Sequence, residues 1–167
     1  MMLLSAILSD TVILSSPTTT ERDHQVVGYL EEQVGVTARE HGTEMFEASS
    51  NVGDVPAAEI IRRDSKEYEV RPGKRLCVAQ IETVGRSLQA RGPELLVAME
   101  DVRSKMDYIL YALMVTDIVD RSTELIVAGD SAPVERAFGV EATDNILDLP
   151  GVMSRKKQVA PKLLAAF

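Results

Sequence analysis

Two stretches in the second half of the chain limit its folding options more than any other feature. "DYILYALMVTDIV", residues 107–119, and "TELIVAGD", residues 123–130, are apolar almost without a break. A strand with one face in water alternates apolar and polar side chains, so runs this continuous predict strands covered on both faces. The flanking segments supply the cover. "SLQARGPELLVAMEDVRSKM", residues 87–106, carries Leu95, Leu96, Met99, Val102 and Met106 at helical spacing. "APVERAFG" predicts a short helix closed by Gly139, and "KKQVAPKLLAAF" a closing helix interrupted by Pro161. "KEYEV" and "RLCVAQIETV" read as strands joined by the turn "RPGK", and "NILDL" and "GVM" each predict a short strand. Strands and helices alternating in this way predict an α/β fold, a mixed sheet with helices on its faces.

The first third is different. "SPTTTERDHQVVGYLEEQVG" offers Thr19 or Thr20 as an N-cap, acidic residues in the first turn, Val26, Val27 and Leu30 as an apolar side, and Gly35 as a stop. "TAREHGTEMFEASSN" opens with the capping-box pair Thr37 and Glu40 and turns Met45 and Phe46 inward. "PAAEIIRRD" puts Pro56 where a first helical turn tolerates its missing N–H. The predicted division is therefore a mainly helical segment, residues 1–64, and a compact α/β domain, residues 65–167.

Charge and cysteine content narrow the function classes. The formal net charge is -8 and the pI near 4.8, which argues against general binding to nucleic acid or an anionic membrane, since both are polyanions. A single cysteine, Cys77, forms no internal disulfide, and a reducing cytoplasm is the expected location. "MMLLSAILSDTVIL" lacks the basic region and cleavage site of a signal peptide and is short of the about 20 apolar residues a spanning helix needs. It reads as a core segment, and its apolar start predicts that further sequence belongs before it.

Against this acidic background stands Ser154-Arg155-Lys156-Lys157-Gln158, with three cations and two neutral hydrogen-bonding side chains in five positions. Arginine presents a planar fork that grips two oxygens of one phosphate, and lysine adds a compact point charge. Backbone N–H groups freed by the Pro150-Gly151 turn, or at a helix start near Lys157, would add to an anion site. A solvated basic face before a terminal helix has the same composition. Asp10, inside an apolar run, is either a metal ligand or an exposed helix end. Lys66 stands where helix gives way to strand, as a cleft residue or an ordinary exposed lysine. Asp117 and Asp120 mark a strand end and turn. His24 and His41 sit on charged, surface-facing helices, and no HxxxH, DxD or CxxC pattern completes a metal centre.

The order of these segments carries a resemblance. "LLSAILSDTVILSSPTTTERD", "DSKEYEV", "VAQIETV", "VTDIV", "AFGVE" and "LPGVMSRKKQVAPKL" together resemble the C-terminal portion of the family II, manganese-dependent inorganic pyrophosphatases, members of the DHH phosphoesterase superfamily. The resemblance implies that Asp10 ligates a dinuclear centre of Mn2+ (or Co2+/Mg2+), and that Arg155, Lys156 and Lys66 bind pyrophosphate. Ser154, Lys157 and Gln158 take supporting roles. It also implies that residues 1–64 are the end of a DHH catalytic domain whose other metal ligands lie upstream, and that residues 65–167 close over the substrate. An isolated chain of this kind is expected to be inactive, and a homodimer is possible in such a family. Two alternatives stay open: an exopolyphosphatase-like phosphohydrolase, and a non-catalytic anion-binding or regulatory module.

Overall fold

The computed structural model describes residues 1–50, 52, 54–85 and 88–167. Three helices come first: α1 (Met2–Thr11), α2 (Glu21–Val34) and α3 (Ala38–Ser50). A capping box fixes the start of α2. The Thr20 hydroxyl oxygen accepts from Asp23 N–H, and the Asp23 carboxylate accepts from Thr20 N–H at 2.8 Å. Gly35, at φ 70°, ends it in a left-handed conformation that needs no Cβ. The apolar sides of the three helices meet around Leu4, Leu8, Val27 and Ala38, so the apolar start of the chain is a core segment.

A short helix, α4 (Ala57–Ile60), leads into the sheet: β1 (Lys66–Arg71), β2 (Lys74–Thr83), β3 (Tyr108–Asp117), β4 (Ser122–Gly129) and β5 (Ile146–Pro150). The strands lie in the order β1-β2-β3-β4-β5, and only the β2–β3 pair is parallel. A parallel pair needs a crossover, and α5 (Gly92–Lys105) provides it. The two continuous apolar runs are the middle strands, β3 and β4. Alternation along β3 sends Leu110, Ala112 and Met114 to one face and Tyr111, Leu113 and Val115 to the other. Helices α4 and α5 cover the second face; α6 (Ala132–Phe138) and α7 (Ala160–Ala166) cover the first. This is the expected mixed α/β sheet with helices on its faces.

Several expectations change on contact with the structure. Val52, Ala57, Ile60 and Ile61 pack into the core under the sheet, so that core draws on chain before residue 65. "GVM" is not a strand; Gly151 turns at φ 75° and the chain enters a wide π turn, Arg155–Val159. Pro161 does not interrupt a helix but sits in the first turn of α7, where its missing N–H is harmless. Met106 lies just past the end of α5 and is 43% exposed rather than inward. His41 is half-buried, its Nε2 2.7 Å from Ser5 Oγ, whereas His24 is exposed. Asn51 and Ser87, the expected ends of two helices, lie outside the described residues. Cys77 is 3% exposed, and burial pushes its thiol pKa up, so it is an inert core residue. Among the described residues, no helix is long and apolar enough to cross a membrane.

Candidate functional site

A small apolar cluster of Val12, Phe46, Ile118 and Met153 joins the helical segment to one end of the sheet. Beside it lies a cleft of about 610 Å3. Its walls come from both parts of the chain. The helical side supplies Ser9, Asp10, Ser16 and Thr18; the sheet side supplies Asp64, Lys66, Gln80, Glu82 and Ser154, Arg155 and Lys156.

Local sequence explains how each wall is built. After α1 the backbone turns left-handed for three consecutive non-glycine residues, Val12, Ile13 and Leu14, at φ 48°, 50° and 59°. Each such residue is unfavourable by about 1–3 kcal/mol, and the surroundings must hold it there. Thr11 accepts the Leu14 N–H on its hydroxyl at 3.1 Å and donates that hydroxyl to Ile7 O at 2.6 Å. Ile13 is received by Gly42, where a Cβ would stand only 2.7 Å from Ile13 Cγ1. The strained turn swings the chain so that Asp10, Ser16 and Thr18 share one cleft. Asp10 is exposed in the last turn of α1, with no basic residue in that turn. An acid there is opposed by the helix dipole, so helix stability does not account for it.

On the sheet side, register does the work. Lys66 pairs with Val78, and Gln80 and Glu82 follow on the same face at spacings of two. β1 pairs with β2 only from Lys66 onward, so the last residues of β2 have no strand partner on that side. Gln80 Nε2 donates to Glu82 Oε1 at 2.7 Å. Burial pushes the Glu82 carboxyl above the usual value, and the charge of nearby Asp64 adds to this.

The pentad forms the remaining wall. Gln158 clamps it: its Oε1 accepts from Met153 N–H and Ser154 N–H, both at 2.9 Å, and its Nε2 donates to Gly151 O at 3.0 Å. Ser154 Oγ accepts from Lys157 N–H at 3.3 Å. Gly151 N–H is taken by Arg121 O at 2.8 Å. The N–H groups of Gly151, Met153 and Ser154, expected to favour an anion near the Pro-Gly turn, are thus already paired. Lys157 points elsewhere, its Nζ donating to Pro17 O at 2.7 Å across to the helical segment. Lys156 is exposed on the cleft. Arg155 is only 6% exposed, and its fork holds Asp64: Nη2 donates to both carboxylate oxygens at 2.9 Å. Its Nη1 donates to Asp64 O and, at 3.2 Å, to Val78 O.

The structure therefore gathers Asp10, Lys66, Arg155 and Lys156 around one cleft, and uses Ser154, Lys157 and Gln158 to shape and tie down its rim. Asp64, Gln80 and Glu82 were not singled out from sequence. Asp117 is a turn former, as expected: its Oδ1 accepts from Gly85, Val119 and Asp120 N–H groups.

The sequence matches the DHHA2 domain family over residues 43–166. The chain belongs to that family. Curated relatives named "Probable manganese-dependent inorganic pyrophosphatase" cover this DHHA2 chain nearly end to end. The one from Lactiplantibacillus plantarum is 42% identical over 168 residues, and the one from Streptococcus equi subsp. equi 39% identical over 168. Each alignment takes in 99% of this chain but 54% of the relative, so the chain spans about half the length of the curated relatives it matches. The crystal structure described as that of the "Methanococcus jannaschii putative family II inorganic pyrophosphatase" superposes with a TM-score of 0.87 at 36% identity, over 99% of this chain and 54% of that one.

Proposed function

We propose that this chain is the substrate-binding part of an inorganic pyrophosphatase, gripping pyrophosphate between Lys66, Lys156 and Arg155. The observation that carries the reading is the convergence of these three cations on one cleft in a chain of net charge -8. Converging cations give a small polyanion a place to bind while the acidic surface elsewhere repels larger ones. Pyrophosphate carries its charge on phosphoryl oxygens, and that charge grows on the bridging oxygen as the P–O bond breaks. Lysine and arginine held at those oxygens lower the barrier by electrostatic stabilisation, the dominant contribution in phosphoryl transfer. In this reading the three N-terminal helices and the sheet act as two walls that close on the substrate. The relatives named as manganese-dependent pyrophosphatases and the shared fold support it.

The donors present do not make a metal centre by themselves. Among the described residues, no three His, Cys, Asp or Glu side chains converge in a way that could hold an ion. Asp10 offers one carboxylate at the cleft edge, able to join a manganese centre completed by a DHH domain, and no metal-dependent step is assigned to this chain alone. Isothermal titration of the chain with pyrophosphate tests the binding role. Lys156→Ala is expected to weaken binding by about 10- to 100-fold, the range of a charge-assisted hydrogen bond. Lys162→Ala, on α7 with its ammonium 4.8 Å from the Phe138 ring centroid, is expected to leave binding unchanged. Equal effects would sink the assignment. With manganese added, the chain alone is expected to release no phosphate above background.

A further inference from the structure

Arg155 and Asp64 are unequal partners. The Arg155 side chain is 6% exposed, whereas that of Asp64 is 59% exposed. The guanidinium is anchored by more than the carboxylate, because Nη1 also donates to the backbone carbonyls of Asp64 and Val78. Removing the carboxylate therefore leaves the arginine where it is. Removing the arginine would leave the carboxylate mostly in water. In any exchange of partners Asp64 is the one that moves.

What it occupies is informative. A buried guanidinium without a counter-charge is strongly unfavourable, so some anion must sit against its Nη2 side. Asp64 presents two oxygens to Nη2, both at 2.9 Å, and a phosphoryl group likewise carries several oxygens able to accept from that nitrogen. Both residues line the same cleft as Lys66 and Lys156. Asp64 stands at φ 37°, at the entry to β1 and two residues before Lys66. Of the other carboxyls on the cleft, Glu82 is held by Gln80 and Asp10 stands on the helical wall.

We propose that Asp64 is an internal stand-in for the substrate's oxyanion: it neutralises Arg155 until a phosphoryl group displaces it into water, and so sets the affinity of the cleft for phosphate anions. This rests on the pyrophosphate reading of the cleft and deepens it. Displacing Asp64 offsets part of the binding free energy, lowering affinity while keeping the buried cation and its geometry intact when no ligand is bound. Tightly bound substrate and product are thereby avoided.

The test is Asp64→Asn in the full chain. Asparagine keeps the shape and tolerates a positive φ, while the negative charge is lost. Pyrophosphate affinity is measured by isothermal titration at fixed ionic strength without metal, and thermal melts are run with and without saturating pyrophosphate. The expected result is about tenfold tighter binding by Asp64→Asn, the effect of removing a competitor worth one charge-assisted contact. Its melting temperature should be lower than that of the wild type without pyrophosphate, and the gap should close on saturation. Asp64→Glu should restore wild-type affinity, and Asp64→Gly, which also accepts the φ, should behave as Asp64→Asn does. Equal or weaker binding by Asp64→Asn, with the wild type still binding, overturns the stand-in role but leaves the site. If Lys66→Ala, which spares the Asp64–Arg155 pair, also leaves pyrophosphate binding unchanged, the site reading falls with it.

Discussion

Glu82 shows how a single side chain couples the cleft to pH. It sits on the cleft wall at the end of β2, and burial raises its carboxyl pKa above the usual 4.5. A raised acid binds its proton more tightly in the folded state than in the unfolded one. Its contribution to stability is therefore most favourable below 4.5 and is lost as pH rises through the raised value. Glu82→Gln removes that dependence. The expected outcome is a denaturation midpoint that falls less between about pH 4.5 and neutrality than in the wild type, with the variant the more stable of the two at neutral pH. A parallel fall in both proteins would show that Glu82 contributes nothing. The same residue marks what sequence left hidden. The pentad was legible because its charges are neighbours in the chain. Asp64, Gln80 and Glu82 are chemically ordinary there and become a site only through pairing. Knowing that Lys66 faces Val78 puts Gln80 and Glu82 on the face of Lys66, and that register is a tertiary fact.

At the level of elements, most of the sheet was readable because burial on both faces leaves a continuous apolar signature, and β3 and β4 carry it. The hairpin of β1 and β2 was readable from its turn, where Gly73 adopts φ 74°. The end of the chain was misread for a physical reason. Strand and helix assignments both assume that backbone groups find regular partners, whereas here a side chain supplies them. Gln158 satisfies two N–H groups and one carbonyl, turning what reads as a strand and a broken helix into a π turn followed by a new helix. Single π turns of this kind recur at functional sites. Gln158→Ala leaves those groups without their partner and is expected to destabilise the protein by about 1–3 kcal/mol, read from denaturant unfolding. It should also weaken pyrophosphate binding, because Arg155 and Lys156 hang from that turn. Gln158→Glu keeps the acceptor and loses the donor, so an intermediate result is expected. If both variants bind pyrophosphate as the wild type does, the turn does not position the cations.

For the whole molecule, the question is how strongly the two walls of the cleft are joined. The bridge includes the apolar cluster around Phe46 and the Lys157–Pro17 hydrogen bond. Each wall has its own core besides: Leu4, Leu8, Val27 and Ala38 on the helical side, and both faces of the sheet on the other. Elements with separate cores open in separate steps, with the smaller core opening first. Phe46 is 5% exposed in the bridge, and truncating a buried phenylalanine removes about 3–5 kcal/mol. If the walls are separate units, Phe46→Ala should speed amide hydrogen exchange in α1, α2 and α3 while the central amides of β3 and β4 keep their protection. Uniform acceleration across the sheet would mean that the chain unfolds as one unit, and a cleft that closes by movement of its walls would lose its physical basis. The left-handed turn at Val12, Ile13 and Leu14 sharpens the expectation, because it is held by Phe46's neighbours and positions Asp10. Releasing that strain should free α1 before the sheet responds.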